Sequence, residues 1–348
     1  MKVLFLIKQD SDYGYYASVK AGLFNSAKFL VQALEQRIIG IECKLSVCID
    51  ANCIDKEVFN YKPKVVVIEA LWVTPEKMTE LHNLHPGVIF VIRVHSNLPF
   101  LSNEGIAIAW IKAYDKIKNV FVSFNNLETS YDFVNIGFEN LYLQNIYGTE
   151  FSYRAAPQDV LELARASKSK RKRNIKIGCF GAIRPLKNQL IQSVAAIGYA
   201  DSIDATLSFY INSSRVEQNG QSTLANIRAL FNNTRHILVE VGWLEHADFI
   251  DLVKTMDLGM QVSLTESFNI VTADFAASGV PIIVSPEIDW MPDTCKVTPY
   301  SVYSIMNKID QALTYRHFFS TQAVMKLYKY NAQAISNWNM FFKNVKRM

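Results

Sequence analysis

Apolar and polar positions along the chain fall into blocks of two alternating kinds. Short runs dominated by apolar, often β-branched residues recur at Val3 to Ile7, Ile41 to Ile49, Lys64 to Ile68, Val88 to Val94, Val120 to Phe124 and Leu141 to Gln144. Runs of this kind predict strands buried on both faces. Between them the spacing turns helical, notably over Leu23 to Leu34, Glu76 to Leu84 and Asn103 to Ile117. The second half restarts the pattern. Strands are predicted at Asn174 to Gly181, Thr206 to Ile211, Ile237 to Leu244 and Leu258 to Ser263, with helices through Leu190 to Ile197 and Phe249 to Met256. This alternation predicts an α/β protein with parallel sheets covered on both faces. Ligands in such sheets bind beyond the carboxyl ends of the strands, so the polar residues there are the candidates for function.

One stretch concentrates them. After the Leu258 strand comes a polar turn with Glu266 and Ser267, then a helix predicted over Phe268 to Ser278 that buries Ile270, Val271, Phe275 and Ala277. Gly279 stops that helix in a left-handed turn, and Val280 to Ser285 is a further buried strand. Free N–H groups at a helix start hold phosphate well. One acid in the turn, Glu266, and one on the helix, Asp274, suit the hydroxyls at the two ends of a sugar nucleotide. Upstream, Gly178-Cys179-Phe180-Gly181 ends a strand, and Arg184 and Lys187 stand at the mouth of the next helix. Two cations and free amides there suit a diphosphate; the alternative is that both side chains are exposed surface charges.

At these residues the chain resembles retaining glycosyltransferases of the two-domain GT-B fold, especially glycosyltransferase family four, whose motif reads E-S-F-G-x-x-x-x-E-A-x-A-x-G-x-P-V-I. Glu266-Ser267-Phe268 and Ala277-Ser278-Gly279-Val280-Pro281-Ile282-Ile283 match it, whereas Asn269 replaces the family Gly and Asp274 the second Glu. Pro185 and Lys187 align with a family Gly-Arg-x4-Lys segment, but Ala182 occupies its Arg position and Arg184 lies two residues on. The resemblance implies two Rossmann-like domains with a central cleft: residues 1–150 for the acceptor, a linker over 151–173, residues 174–330 for the nucleotide sugar, and a helix over 331–348 returning to the first domain. It also implies that Lys187 and Arg184 neutralise the leaving diphosphate and that Glu266 binds the donor sugar. Backbone groups of Ser267, Phe268, Asn269 and Ile270 would add phosphate contacts, and Asp274 would bind the ribose. Gly181, with Gly242, Trp243 and Leu244 as the base contacts, completes the donor set. In the first domain the resemblance points to Gly14 and Gly22 facing the phosphates and to His95 facing the acceptor. Leu143-Gln144-Asn145 resembles the segment that closes the family's first domain, and Trp338 reads as a packing anchor.

Other features leave alternatives open. Asp10-Ser11-Asp12 either holds a divalent metal, as in single-domain GT-A transferases, or belongs to a turn made possible by Gly14. Glu69 either orients an acceptor hydroxyl or pairs with a neighbouring cation, and Glu104 opens a helix. His95 either lines the cleft, where imidazole suits proton transfer near neutral pH, or is structural.

Composition adds limits. The 348 residues are 50% hydrophobic and 20% charged, as for a well-buried globular chain of about two domains. No run reaches the ~18 apolar residues of a membrane span, and the five cysteines show neither C-x-x-C nor zinc spacing. Reduced thiols and a cytoplasmic location are the expectation. The net charge of +4 is mild but locally dense from Arg165 to Arg173, which is either a solvated linker or a contact for a polyanion. The resemblance extends to bacteriophage enzymes that glycosylate hydroxymethylated bases of DNA. The function expected is therefore metal-independent, retaining transfer from a nucleotide-diphosphate sugar such as a UDP-sugar to a hydroxyl, with DNA as one candidate acceptor. The rivals are a non-catalytic nucleotide-sugar-binding protein on the same fold and a metal-dependent transferase using Asp10 and Asp12.

Overall fold

The computed structural model describes residues 1–9, 21–148 and 173–347. The chain divides into two compact units: residues 1–148 with 330–348, and residues 149–329.

Unit 1 is a six-stranded parallel sheet in the order β2-β1-β3-β4-β5-β6. Its strands are β1 (Lys2–Lys8), β2 (Glu42–Cys48), β3 (Val65–Glu69), β4 (Ile89–Val94), β5 (Val120–Phe124) and β6 (Leu141–Tyr142). All of β3 and β4 is buried, which explains their unbroken apolar sequence. One sheet face, with Leu4, Val66, Phe90 and Val122, packs against α2 (Cys53–Tyr61), α3 (Pro75–Leu84) and α5 (Ala107–Tyr114). Thr74 caps α3 by accepting from Lys77 N at 3.2 Å, with Pro75 at the first helical position. Of the stretch Asn103 to Ile117 only α5 is helical; a short helix, α4 (Leu98–Leu101), precedes it, and Glu104 lies between the two and does not open the helix. Helices α1 (Ala21–Arg37) and α6 (Leu127–Asn135) complete the first run of elements.

Unit 2 is a five-stranded parallel sheet, β11-β10-β7-β8-β9, from β7 (Asn174–Gly178), β8 (Thr206–Asn212), β9 (Ile237–Val241), β10 (Leu258–Gln261) and β11 (Ile282–Val284). Its helices are α7 (Gln189–Ser202), α8 (Gly220–Phe231), α9 (His246–Lys254), α10 (Ile270–Ala277) and α11 (Val302–Thr314). Phe275 of α10 lies flush on the sheet because β7 and β10 carry glycine beneath it. A Cβ on Gly178 would stand 3.0 Å from the Phe275 ring, and one on Gly259 2.6 Å.

The last helix, α12 (Arg316–Val345), contributes to both units: its residues from Tyr330 onward belong to unit 1. There Asn331 exchanges two hydrogen bonds with the Tyr147 backbone, at 3.0 and 2.9 Å. Trp338 is fully buried, donates to Gln144 O at 2.9 Å and lies 6.0 Å from the Phe5 ring.

In both sheets the strand order reverses once. Unit 1 reverses between β1 and β3, unit 2 between β7 and β10. The carboxyl ends of those strand pairs are where open parallel sheets form crevices.

Candidate functional site

In unit 2 the crevice position between β7 and β10 is occupied by the residues that the motifs single out. The loop after β7 runs through Gly181, at φ +113°, into a 3-10 turn over Pro185–Lys187. The loop after β10 carries Glu266 and leads to α10. The two loops are stitched together: Leu264 N donates to Leu186 O at 2.9 Å, and Asn188 Nδ2 to Val262 O at 3.0 Å. Lys187 Nζ donates to Glu266 Oε1, forming an ion pair whose side chains are 12% and 7% exposed. Burial pushes the Lys187 ammonium below its ordinary value, Glu266 opposes this, and the nearby Arg184 charge adds to the fall. An ammonium has three N–H donors, so Lys187 can hold Glu266 and a further oxygen ligand together. Arg184 is turned towards Glu217, with Nη1 3.5 Å from Oε2.

Helix α10 begins at Ile270, two residues later than its sequence pattern predicts, because Asn269 is its cap. Asn269 has φ +53°, a conformation that glycine and asparagine adopt most readily. Its Oδ1 accepts from Thr272 N at 2.9 Å and its Nδ2 donates to Gln261 Oε1 at 2.8 Å. Gln261 in turn donates to Phe180 O at 2.8 Å. The replacement of the family glycine is thereby explained: asparagine keeps the left-handed backbone and adds a buried bridge from the loop after β7, through Gln261 at the end of β10, to the start of α10. Phe268, expected at the ligand, is 3% exposed, stacks on Trp290 at 5.8 Å and gives its carbonyl to Trp290 Nε1. Of the four residues expected in the core, Phe275 and Ala277 are buried, whereas Ile270 and Val271 are half-buried and Thr272, Ala273, Asp274 and Ala276 are buried as well. Gly279 has the left-handed φ of +68° expected past the helix end.

Asp274 is 2% exposed and its Oδ1 stands 2.8 Å from Nε2 of His246, the first residue of α9. Sequence reasoning missed His246; its distance from Asp274 along the chain hides the pairing. It also passed over Asn212, at the end of β8. Asn212 Oδ1 accepts from Gly181 N at 2.9 Å while its Nδ2 donates to Gly242 O at 3.3 Å, so one buried amide joins two predicted site loops. Beyond Gly242, Trp243 is 44% exposed with the Arg215 guanidinium 5.2 Å from its ring, and Leu244 is half-buried.

Unit 1 has a cleft of about 220 Å3 at its own reversal point, lined by Lys8, Gln9, Glu69, Trp72, His95 and Glu104 among others. Ala70, at its lip, has φ +72°, and Trp72 Nε1 donates to Glu69 O at 3.0 Å. Of the two alternatives for Glu69, the structure shows the ion pair. Arg93 Nη1 reaches both carboxylate oxygens at 2.8 and 2.9 Å, and both side chains are essentially inaccessible. His95 Nε2 stands 2.5 Å from Glu69 Oε2. Burial raises the Glu69 carboxyl, but the Arg93 charge and the His95 bond outweigh it and hold the group at about 2. Gly22 is the second residue of α1, and the neighbouring Leu23 lines the cleft. Gly14, Asp10 and Asp12 lie outside the described residues, as does the basic run except for the exposed Arg173.

All five cysteines are free. Burial pushes the thiols of Cys48, Cys179 and Cys295 up to about 12, which leaves them poor nucleophiles near neutral pH. Among the described residues no helix is long and apolar enough to cross a membrane.

No family model matches the chain, and no curated protein matches it by sequence. Solved structures do match. Sucrose-phosphate synthase from Thermosynechococcus elongatus superposes with a TM-score of 0.69 at 11% identity, over 99% of both chains. The trehalose-6-phosphate synthase OtsA gives 0.68 at 10% identity, over 100% of this chain and 99% of that one. HepE of Anabaena, solved in complex with UDP and glucose, gives 0.64 at 15% identity over the full length of both. The chain has the two-domain GT-B fold of these proteins.

Proposed function

We propose that the protein is a glycosyltransferase that moves a sugar from a nucleotide-diphosphate sugar to an acceptor hydroxyl. The observation that carries this reading is the buried Lys187–Glu266 pair at the reversal point of the unit 2 sheet. Lys187 is the cation for the diphosphate, held in place by Glu266, which also offers an oxygen to a donor sugar hydroxyl. Arg184 and amides near Ser267 and Asn269 add to the leaving-group site. The Asp274–His246 pair serves the ribose, and the Gly242–Leu244 turn serves the base. The UDP and glucose bound by the HepE structure support a uridine donor.

In the reaction the acceptor oxygen bonds to the anomeric carbon. The bond from that carbon to the diphosphate oxygen breaks, and its electron pair leaves with the nucleotide. His95 is the group of unit 1 that receives the acceptor proton. Positive charge from Lys187 meets the leaving group, so the reading calls for no metal, and activity that survives a chelator supports it over a transferase built on Asp10 and Asp12. Retention of configuration is part of the proposal by likeness to trehalose-6-phosphate synthase, described as transferring with retention; the product anomer read by NMR tests it. A DNA acceptor rests on the basic run and on the resemblance to bacteriophage enzymes, and no described feature adds support.

A thermal-shift panel of nucleoside diphosphates and their sugars is the direct test. A ligand at a hundred times its Kd stabilises by about 2.7 kcal/mol. The expected result is a rise with UDP or a UDP-sugar that Lys187→Ala and Glu266→Ala abolish, with donor turnover lost in the same variants. No shift with any nucleotide at millimolar concentration overturns the proposal. Binding without turnover selects the non-catalytic alternative.

A further inference from the structure

Beside the Lys187–Glu266 pair, unit 2 holds a second cluster of charges, built on the loop between β8 and α8. Glu217 of that loop is shared by two arginines. Arg215 takes one oxygen: its Nε donates to Oε1 at 2.6 Å, and its Nη2 stands 2.6 Å from the same atom. Arg184 faces the other, with Nη1 3.5 Å from Oε2. We propose that Glu217 competes with the donor diphosphate for Arg184, and that Arg215 weakens this competition by holding Glu217 at its far oxygen. Both are then positioning residues that set donor affinity through Arg184 without touching the diphosphate. The inference rests on the reading of Arg184 as a diphosphate ligand given above.

Backbone contacts fix the frame under these side chains. Ile183 N donates to Arg215 O and Glu217 N to Ile183 O, both at 2.9 Å, so the loop is paired with the residue just before Arg184. Gln218 and Asn219 both have left-handed φ, +48° and +63°, which turns the chain into α8 at Gly220. A Cβ on Gly220 would run into the Ile183 carbonyl oxygen, so the close approach of the two segments requires glycine there. Arg215 has a second hold, its guanidinium lying 5.2 Å from the Trp243 ring. With the backbones locked together, side chains alone decide where the Arg184 charge is used.

The unequal distances set the balance. Charge-assisted contacts of a guanidinium with a carboxylate are short, about 2.7–2.9 Å. Arg215 reaches Glu217 closely, whereas the Arg184 separation of 3.5 Å is longer than a hydrogen bond of normal length. Most of the Glu217 charge is therefore met by Arg215, and a loose attraction is left for Arg184. A phosphate offers a guanidinium two oxygens in the fork geometry that suits it, and so wins Arg184 from Glu217. Arg184 and Lys187 also share one turn, where Lys187 N donates to Arg184 O at 3.0 Å. Burial lowers the Lys187 ammonium, Glu266 opposes this, and the Arg184 charge adds to the fall; a diphosphate between the two cations offsets their repulsion. Without Arg215 the balance reverses, because Glu217 then presents both oxygens at full charge to Arg184.

Calorimetric titration of the full chain with UDP at fixed ionic strength tests this. Glu217→Gln keeps the shape, loses the charge, and is expected to bind UDP about fivefold more tightly than wild type. Removing a negative charge near a diphosphate could act through the field alone, so the decisive comparison is made in Arg184→Met, where Lys187 remains to bind UDP. There Glu217→Gln is expected to change Kd by less than about twofold. Arg215→Met is expected to weaken UDP about fivefold, and Arg215→Met with Glu217→Gln to regain the affinity of Glu217→Gln alone. A gain from Glu217→Gln that persists undiminished in Arg184→Met overturns the proposal. So does a Glu217→Gln variant that binds UDP no more tightly than wild type. If Arg215→Met does not fold, the four proteins of the Arg184–Glu217 cycle decide. A wild-type chain that binds UDP, with Kd unmoved by Glu217→Gln, removes the competition and leaves the glycosyltransferase reading standing; a wild-type chain that binds no nucleoside diphosphate removes both.

Discussion

Removing Lys187 alone should harm the protein more than removing Lys187 and Glu266 together. In Lys187→Met the Glu266 carboxylate, in a side chain only 7% exposed, keeps its burial and loses its cation. At contact distance and an effective dielectric of ~20 the attraction forfeited is about 4 kcal/mol, and breaking one side of a buried pair generally costs about 3–5 kcal/mol. For a unit of this size that corresponds to a fall in Tm of about 6–20 °C. Lys187→Met combined with Glu266→Gln leaves no orphaned charge, and the methionine fills the space of the lysine stem. The double variant should recover at least half of the loss, with a coupling energy of about 2 kcal/mol or more from the four-member cycle. Differential scanning calorimetry of the four proteins measures it. The reasoning fails if the double variant loses the sum of the two single effects, because the groups would then be energetically independent and the site would lack the pre-positioned cation that the proposed function needs. The same four proteins, rerun with UDP, separate folding from binding: only the wild type should gain stability from the nucleotide.

Three further outcomes are expected. Asn269→Gly should retain about 1–2 kcal/mol more stability than Asn269→Ala in chemical denaturation, since glycine accepts φ +53° and alanine resists it while both lose the cap. Gly259→Ala should destabilise unit 2 by about 1–3 kcal/mol, because its Cβ would stand 2.6 Å from the Phe275 ring; a tolerated substitution would refute the close packing of α10. Glu69 falls from its ordinary 4.5 to about 2 in the folded protein, so its contribution is fully present above pH 4.5 and is lost as pH falls towards 2. At 1.36 kcal/mol per pH unit this is about 3 kcal/mol, and urea midpoints followed over that range should lose this component of the slope in Glu69→Gln.

Much of the fold was legible because β3 and β4 are buried on both faces, and continuous apolar runs such as Val65 to Ile68 leave little else to infer. Helices were read less completely: α2, α4, α6, α8 and α11 went unread, although α2, α6 and α11 each bury one apolar face, and the thirty residues of α12 were recognised only from Asn331 onward. The start of α10 was misplaced because capping depends on a single left-handed Asn269 and not on periodicity. At the candidate site the charged residues with motif spacing, Lys187 and Glu266, were legible. His246, Asn212 and Gln261 were not, since each acts across strands whose neighbours are set by the order β11-β10-β7-β8-β9, which linear spacing does not encode. For Glu69 the sequence posed the right question, and only the adjacency of β3 and β4 answers it with Arg93.

Trp338 belongs to the body built by the first 148 residues, yet it follows the whole of unit 2 in the chain. During synthesis the amino-terminal sheet therefore emerges long before its own aromatic plug, and the Phe5 face and the Gln144 carbonyl wait for a segment made almost two hundred residues later. A ribosome stalled anywhere within unit 2 should hold a nascent chain that is protease-sensitive in its first half, and release of the completed carboxyl-terminal helix should be the event that makes that half resistant.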